Sequence, residues 1–365
     1  MAKPVLHQFL VGATPGDAIT DYAMLLRRWL REAGFRSEIY AESIAPKLEG
    51  AVHSYLQYRP ASSGELVVLH HSIGSDVVDH LLVLGSRILL IYHNITPVEF
   101  FKDVDPRLAA QIRRGRKQLA LLCSASVLGL GVSEYDAREL SSNEFERTGV
   151  LPLVLDESRY AYDPNPGLMD RYSMPGPNLL FVGRLAPNKR QDDLVKLLYY
   201  TRRVLPQARL FLVGSHWMPD YASWLEELAT DLGVQDAVVI TGHVDQRDLV
   251  TYYRLADYYV SMSEHEGFGK PFIESMYFGV PILAYAAAAV PETLGGTGVL
   301  FNRKDFEALA EIISLLAEDG SLRHRTIARQ KSRVARYLAP TVRLQWFDYL
   351  TAPLVGVDVP REGNR

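Results

Sequence analysis

The sequence predicts an α/β protein made of two doubly wound, parallel-sheet domains, and three observations carry that prediction. Short apolar runs alternate with longer amphipathic ones along the whole chain, the pattern of βαβ units. The chain has 365 residues, a length that favours two domains over one. Glycine-bearing loops follow several of the apolar runs and lead into helical stretches, an arrangement that leaves backbone amides open to an anion.

In the first half, Val5–Val11, Leu66–His70, Ile88–His93 and Val127–Val132 read as strands, with helices over Asp17–Ala33, capped by Asp17, and Pro106–Leu122. The region 156–167, together with Ser173-Met-Pro-Gly-Pro177, is rich in turn residues and has no clear period, so it reads as an interdomain linker. In the second half, Leu179–Val182, Leu210–Val213, Val238–Ile240, Tyr258–Ser261 and Ile282–Ala284 read as strands, and Phe306 to Leu350 is mostly helical by period. This divides the chain into an N-terminal domain over 1–170, a C-terminal domain over 171–340, a last helix over 341–352 and a tail over 353–365. In sheets of this kind, ligands bind beyond the carboxyl ends of the strands.

Composition excludes several classes. A formal net charge of −4 gives no field that would draw the protein to nucleic acid. The single cysteine, Cys123, lies in the apolar run Leu119-Ala-Leu-Leu-Cys123 and is expected to be a buried core thiol. One cysteine allows neither an intramolecular disulfide nor a cysteine-rich zinc site. The N-terminus reads as a strand and not as a signal peptide. The apolar region from Leu81 to Ile95 is broken by Ser86, Arg87, His93 and Asn94 and falls short of a membrane span. The expected location is the cytoplasm, with peripheral contact at the inner face of the membrane left open.

The stretch Glu266-Gly-Phe-Gly-Lys-Pro-Phe-Ile-Glu274 carries the most chemistry. It follows a strand, and Pro271 suits a first helical turn, where its missing N–H costs nothing. One carboxylate precedes the glycine loop and the other lies in the first turn, so each can grip hydroxyls on either side of an anion bound at the helix N-terminus. Gly183-Arg184 and Lys189 follow another strand. Two cations there can stabilise a departing diphosphate, Arg184 as a planar fork and Lys189 as a compact charge. Gly214-Ser215 and Gly242-His243-Val244 close two more strands. In the first half, Gly12 and Gly16 sit after the first strand and permit close approach of backbone to phosphate. Their spacing is not G-x-G-x-x-G, and no G-x-x-x-x-G-K-[ST] occurs. His93 and Asn94 end one strand with polar groups, and His70-His71 end another. No Asp or Glu completes a metal set with these histidines. Asp103-Val-Asp105 precedes a helix and reads as a pair of helix-start acids, not a metal-binding D-x-D. The densest basic cluster, Arg113, Arg114, Arg116 and Lys117, falls on the helix over Pro106–Leu122, which Gly115 weakens locally.

Glu266 to Glu274 resembles the Glu-x7-Glu motif of retaining, GT-B-fold glycosyltransferases of family four. Four further stretches are similar to that family in the same order: Asn178 to Arg190, Thr241-Gly-His-Val244, Gly279-Val-Pro-Ile282 and Val290-Pro-Glu-Thr293. The resemblance implies two Rossmann-like domains facing across a cleft, with the last helix returning to the N-terminal domain. It implies transfer of a hexose from a nucleotide sugar, UDP-glucose type or GDP-mannose, to a hydroxyl of a saccharide or lipid-linked acceptor, without metal or cofactor and with retained configuration. By the same resemblance Glu274 holds the ribose, Glu266 meets the donor sugar, and Gly267, Phe268, Gly269 and Lys270 face sugar and phosphates. Gly183 and Gly214 line the diphosphate, His243 and Val244 lie by the base, and His93 contacts the sugar near the reacting carbon. His70, His71 and Asn94 are expected on the acceptor side, and the basic cluster is a candidate for touching anionic lipid. A GT-B phosphorylase, a GT-B sugar-nucleotide epimerase and a non-catalytic nucleotide-sugar-binding subunit are the rival readings.

Overall fold

The structure, a computed structural model, describes residues 3–62 and 64–351. Two compact units emerge: Met1–Val154 together with the chain from Pro340 onward, and Leu155–Ala339. Each is a parallel sheet flanked by helices, the two Rossmann-like units of the GT-B class that the sequence predicts.

In unit 1 the strands are β1 (His7–Ala13), β2 (Ile39–Ile44), β3 (His53–Ser54), β4 (Leu66–His71), β5 (Arg87–Tyr92), β6 (Ser126–Gly131) and β7 (Thr148–Val150). Their order across the sheet is β3-β2-β1-β4-β5-β6-β7, all parallel. The inner strands are covered on both faces, so β4 and β5 read as unbroken apolar runs and are buried almost throughout. The helices are α1 (Ala18–Glu32), α2 (Asp76–Val83), α3 (Pro106–Ala125) and α4 (Glu134–Ser142). Asp17 caps α1 as expected, accepting from the N–H groups of Ile19 and Thr20 at 3.1 and 3.0 Å. Asp105 caps α3 in the same way, which accounts for the Asp103-Val-Asp105 pair as a helix start.

Unit 2 contains β8 (Asn178–Val182), β9 (Arg209–Val213), β10 (Val238–Gly242), β11 (Tyr258–Ser261), β12 (Ile282–Tyr285) and β13 (Val299–Phe301), in the order β10-β9-β8-β11-β12-β13. Its helices are α5 (Pro166–Arg171), α6 (Gln191–Val204), α7 (Pro219–Asp231), α8 (Gln246–Leu255), α9 (Lys270–Phe278), α10 (Val290–Leu294), α11 (Phe306–Glu318) and α12 (Gly320–Val334). The final helix, α13 (Ala339–Thr351), belongs mostly to unit 1, where Val342, Trp346 and Leu350 are buried and the Tyr349 hydroxyl accepts from Val150 N–H at 3.1 Å. The expected tail over 353–365 lies outside the described residues.

Two sequence expectations need correction. The first domain ends at Val154, not at 170. Residues 155–171 are no free linker: Tyr160 is buried and hydrogen-bonded to Glu274, and Asn165 accepts Gly167 N–H while bonding Thr251 and Asp248 on α8. Cys123, near the C-terminal end of α3, is half-buried and not a core thiol. Gly115, which weakens α3 in isolation, has a packing reason. A Cβ there would lie 2.6 Å from the Gly74 nitrogen, so only glycine lets helix and loop approach.

Each sheet has one place where the order of connection reverses, and ligands in open α/β sheets collect there. In unit 1 it lies between β1 and β4; in unit 2, between β8 and β11.

Candidate functional site

At the unit 2 reversal, the loops after β8 and β11 meet. Glu264 N–H donates to the Asn188 carbonyl at 2.9 Å, which fixes one loop against the other. The result brings Lys189 Nζ to 2.7 Å from Glu266 Oε2, with the two side chains 19% and 14% exposed. The cation expected at the diphosphate and the carboxylate expected at the sugar are therefore one ion pair. An ammonium has three N–H donors. Glu266 takes one of them. Arg184 is exposed, and its guanidinium lies 4.5 Å over the Trp217 ring.

Helix α9 starts at this point. Gly269 stands at its N-cap with φ 83°, a left-handed conformation that suits glycine, and no side chain caps the helix. Pro271 lies in the first turn as expected. An uncapped helix N-terminus is a site for an anion. Phe268 is buried, and its carbonyl accepts from Thr293 Oγ1 of α10 at 2.7 Å, so the Val-Pro-Glu-Thr stretch buttresses the glycine loop.

Glu274 sits one turn further on and is 5% exposed. Its Oε1 accepts from the Tyr160 hydroxyl at 2.5 Å and its Oε2 from the Tyr253 hydroxyl at 2.6 Å, with Lys270 Nζ at 3.8 Å. Each carboxylate oxygen keeps a second lone pair. Burial, and then the neighbouring Glu274 carboxylate, hold the Tyr253 hydroxyl well above its usual range, so it stays a donor.

The other expected loops are stitched to this centre by backbone. Gly183 N–H donates to Val213 O, Leu185 N–H to Ser215 O, and Gly214 N–H to Gly242 O, at 2.9, 3.1 and 3.1 Å. Gly214 has φ 156°, and a Cβ there would lie 2.0 Å from the Gly183 carbonyl oxygen. His243 is exposed and Val244 is half-buried, in the loop after β10.

Behind the Lys189 loop lies a network that sequence reasoning missed. Lys304 Nζ bonds Asp193 at 2.9 Å and Glu264 at 2.7 Å, while Arg190 and Lys196 both reach Asp192 and Asp193. Burial pushes the Asp193 carboxyl up, but the hydrogen bond and charge of Lys304, with Arg190 and Lys196, outweigh it and hold the group below the usual carboxylate range. Three cations and three carboxylates thus anchor both loops. Lys304 is 111 residues from Asp193, a pairing no local motif announces.

In unit 1 the reversal between β1 and β4 gathers the histidines. His70 is buried, and its Nδ1 lies 2.9 Å from His93 Nε2 while its Nε2 lies 3.0 Å from Gln8 Oε1. Burial pushes His70 down to about 3 and His71 down to about 4. His93 is held well below its ordinary value by burial first, then by its histidine neighbours. His71 is fully buried and donates from Nε2 to the Gly115 carbonyl at 3.1 Å, so it ties β4 to α3. Asn94 is buried with φ 66° and gives its amide hydrogens to Asp136 at 2.7 Å and Glu139 at 3.2 Å. Gly16 has φ 79° in the turn after β1, and a Cβ on Gly12 would lie 2.9 Å from Ser43 Oγ. Since Asp17 already occupies amides at the α1 N-terminus, a phosphate near Gly12 and Gly16 would meet that carboxylate.

The basic cluster divides on the structure. Arg114 pairs with Asp76 and Asp79 at 2.5 and 2.6 Å, and Arg116 pairs with Glu139 and the Ile95 carbonyl. Arg113 and Lys117 are exposed, four residues apart, and Leu121 follows on the same face at 57% exposure. Among the described residues, no helix is long and apolar enough to cross a membrane, and no group of three His, Cys, Asp or Glu residues could hold a metal ion.

Residues 174–333 match the family model described as glycosyl transferases group 1. Unit 2 is a group 1 glycosyl transferase domain. Among curated proteins, this chain is similar to the GDP-mannose-dependent alpha-(1-6)-phosphatidylinositol monomannoside mannosyltransferase of Mycolicibacterium smegmatis. The two are 30% identical over 181 residues, 46% of this chain and 47% of that protein. It is also similar to the GDP-mannose:cellobiosyl-diphosphopolyprenol alpha-mannosyltransferase of Xanthomonas campestris, 32% identical over 145 residues, 39% of this chain and 38% of the relative. The chain spans about half the length of the curated relatives it matches first. Among solved structures, sucrose-phosphate synthase from Thermosynechococcus elongatus superposes with a TM-score of 0.78 at 18% identity, covering 97% of this chain and all of that one. HepE from Anabaena, solved in complex with UDP-glucose, gives 0.74 at 20% identity, covering 95% and 99%. These structures share the GT-B fold with this chain.

The matched stretch of the glycosyl transferase domain holds Arg184, Lys189, Glu266 and Glu274. Tyr160, which engages Glu274, lies outside it. The sequence offered no signal for Tyr160, since a lone tyrosine among turn residues has no periodicity to mark it as buried.

Proposed function

We propose that the protein is a hexosyltransferase that uses GDP-mannose as donor and a lipid-linked or saccharide hydroxyl as acceptor. The observation that carries this reading is the Lys189–Glu266 pair, 2.7 Å long, set beside the uncapped N-terminus of α9 at the sheet's reversal point. That arrangement offers one cation and open amides to a diphosphate, and a carboxylate to the hydroxyls of the sugar it carries. Arg184 adds a second, exposed cation. The curated relatives named for GDP-mannose favour mannose over a UDP-glucose donor.

In this reading the bond from the anomeric carbon to the diphosphate oxygen breaks as the acceptor oxygen bonds to the same face of that carbon. The acceptor proton passes to the leaving diphosphate, and Arg184 and Lys189 balance the charge that develops there. Configuration at the anomeric carbon is retained. Glu266 and Glu274 act as positioning groups in this reading, Glu266 held by Lys189 and Glu274 by the hydroxyls of Tyr160 and Tyr253.

The test is a panel of nucleotide sugars scored first by thermal shift and then by transfer. A ligand that binds only the native state raises apparent stability by mass action. GDP-mannose should raise the melting temperature more than UDP-glucose, and NMR of the product should show the donor's α configuration. A shift by UDP-glucose alone would refute the donor assignment, and an inverted product would refute the mechanism. Nucleotide release with no glycoside formed would refute the transferase reading itself.

A further inference from the structure

Lys304 lies in the loop between β13 and α11, next to Asp305, which caps α11. β13 is the edge of the unit 2 sheet, and β12 and β11 stand between it and β8. The Lys304 side chain crosses that distance. Its Nζ passes 4.8 Å from the centre of the Tyr285 ring at the end of β12, bonds Glu264 Oε1 in the loop after β11 at 2.7 Å, and bonds Asp193 Oδ2 on α6 at 2.9 Å. Lys304 and Asp193 are both largely buried, so salt and water screen their attraction little.

This bridge ends beside the Lys189–Glu266 pair. Consecutive cations on the loop after β8 face alternate acids on the loop after β11. Lys189 meets Glu266 at 2.7 Å, and Arg190 approaches Glu264 at 3.8 Å. A slip of one residue would set Lys189 against His265 or Gly267, neither of which offers a carboxylate. Arg190 holds φ 53°, a left-handed conformation that a residue with a Cβ keeps where neighbours support it. Here Asp192 and Asp193 take its guanidinium at 3.0 and 3.2 Å, and Lys196 reaches the same two acids. Glu264 differs from these acids. It is 34% exposed, it is bonded by Lys304, and it lies two residues from Glu266. Released by Lys304, it is the acid able to turn toward the neighbouring loop's cations.

We infer that Lys304 is a positioning residue for Lys189: by holding Glu264 and Asp193 together it keeps Glu264 from drawing on Lys189, which stays on Glu266 and faces the donor's diphosphate. Lys304 also balances charge. Without it, Asp192, Asp193 and Glu264 would face Arg190 and Lys196 alone, three acids against two cations, and the surplus negative charge would repel an anionic ligand. The place of Lys189 at a diphosphate rests on the proposed donor reading. The hold of Lys304 on the Lys189 loop rests on the geometry of unit 2.

The test has two arms. In the first, the Lys189 ammonium of the free, full-length protein is followed by ¹H–¹⁵N NMR, with Lys189→Gln as the blank. In Lys304→Met the signal should move, and in Lys304→Arg, which keeps the charge, it should stay near its wild-type place. A Lys189 signal unmoved in Lys304→Met overturns the inference without any ligand. In the second, calorimetry with GDP compares single and double variants. Lys304→Met should weaken binding about tenfold, inside the range that coupled neighbouring charges show. Adding Glu264→Gln removes the released acid and should bring affinity back to within about twofold of wild type. A double variant that binds no better than Lys304→Met makes Lys304 a plain support of the fold and overturns the inference. Should Lys304→Met not fold, Lys304→Gln, which keeps an N–H donor and loses the charge, gives the same comparison in both arms. Wild-type protein that binds no GDP overturns the donor reading, and the first arm still decides whether Lys304 positions Lys189.

Discussion

A double-mutant cycle on Lys189 and Glu266 tests the centre of the site, because the pair makes the two single variants behave oppositely. Both side chains are largely buried and 2.7 Å apart. In the proposed donor site, Lys189 spends one donor on Glu266 and keeps two for the diphosphate. Lys189→Ala removes a charge-assisted hydrogen bond worth about 1.5–3 kcal/mol, roughly tenfold to a hundredfold in affinity. It also leaves the Glu266 carboxylate unpaired beside an anionic ligand, so the loss should reach about a hundredfold or more. Glu266→Ala frees the ammonium, so affinity for free GDP should hold or rise, even as transfer falls with the loss of the sugar contact. The double variant lacks both the cation and the repelling carboxylate and should bind GDP more tightly than Lys189→Ala. The coupling expected for charges in contact is about 0.5–3 kcal/mol. Isothermal titration calorimetry with GDP measures all four corners. Equal affinities for Lys189→Ala and the double variant would mean that Glu266 does not sense the diphosphate, and the pair would then be structural only.

Other outcomes follow from the same geometry. Trp217→Ala should weaken GDP binding about twofold to fivefold through the loss of an exposed cation–π contact worth roughly 0.5–1 kcal/mol, against tenfold or more for Arg184→Ala; equal losses would show that Trp217 does more than hold Arg184. Transfer should survive EDTA, because Arg184 and Lys189 supply the charge at the diphosphate; loss restored by magnesium or manganese would refute that. Buried neutral His70, His71 and His93 all have folded values below the unfolded one, so the unfolded state binds more protons between about pH 4 and 6.5. Stability from these groups is complete above about pH 6.5 and declines as pH falls, by up to about 1.4 kcal/mol per pH unit for each histidine; a melting temperature flat across that window would contradict their burial. Replacing Arg113 and Lys117 with Gln should cut co-sedimentation with anionic vesicles by the loss of about 1 kcal/mol per charge at low salt and leave GDP binding intact. Wild-type protein that ignores such vesicles would make that face of α3 a solvated one.

Local signals made most of the fold legible. β4, β5, β8, β9 and β11 are apolar runs closed by turn residues, and Asp17 announces α1 through its cap. β2, β3, β7 and β13 escaped because they are short or carry polar residues. In Ile39–Ile44, only the first and third residues are buried, too little alternation to stand out. At the site, Lys189, Glu266 and Glu274 were legible because each lies in a loop or within two turns of a helix start, with its own glycine or proline marker; Glu274 falls one turn later than the first turn expected for it. Their partners were not. Lys189 and Glu266 are 77 residues apart, Tyr160 and Glu274 are 114 apart, and Gln8 and His70 are 62 apart. Such pairs depend on sheet order, which brings β8 beside β11 and β1 beside β4, and on side-chain direction, and neither is written in the spacing of residues along the chain.

The docking of residues 155–171 on unit 2 bears on how this protein can be cut and recombined. A chimera that joins a foreign N-terminal unit at the turn-rich stretch near residue 173 would discard Tyr160 and leave the buried Glu274 Oε1 without its hydroxyl donor. A junction between Val154 and Leu155 keeps the tyrosine with the carboxylate it serves. The same holds at the other end, where α13 must travel with unit 1, because its Tyr349 completes the edge strand β7. The exchangeable module is thus one uninterrupted stretch of chain, Leu155–Ala339, inserted into a host made of two pieces.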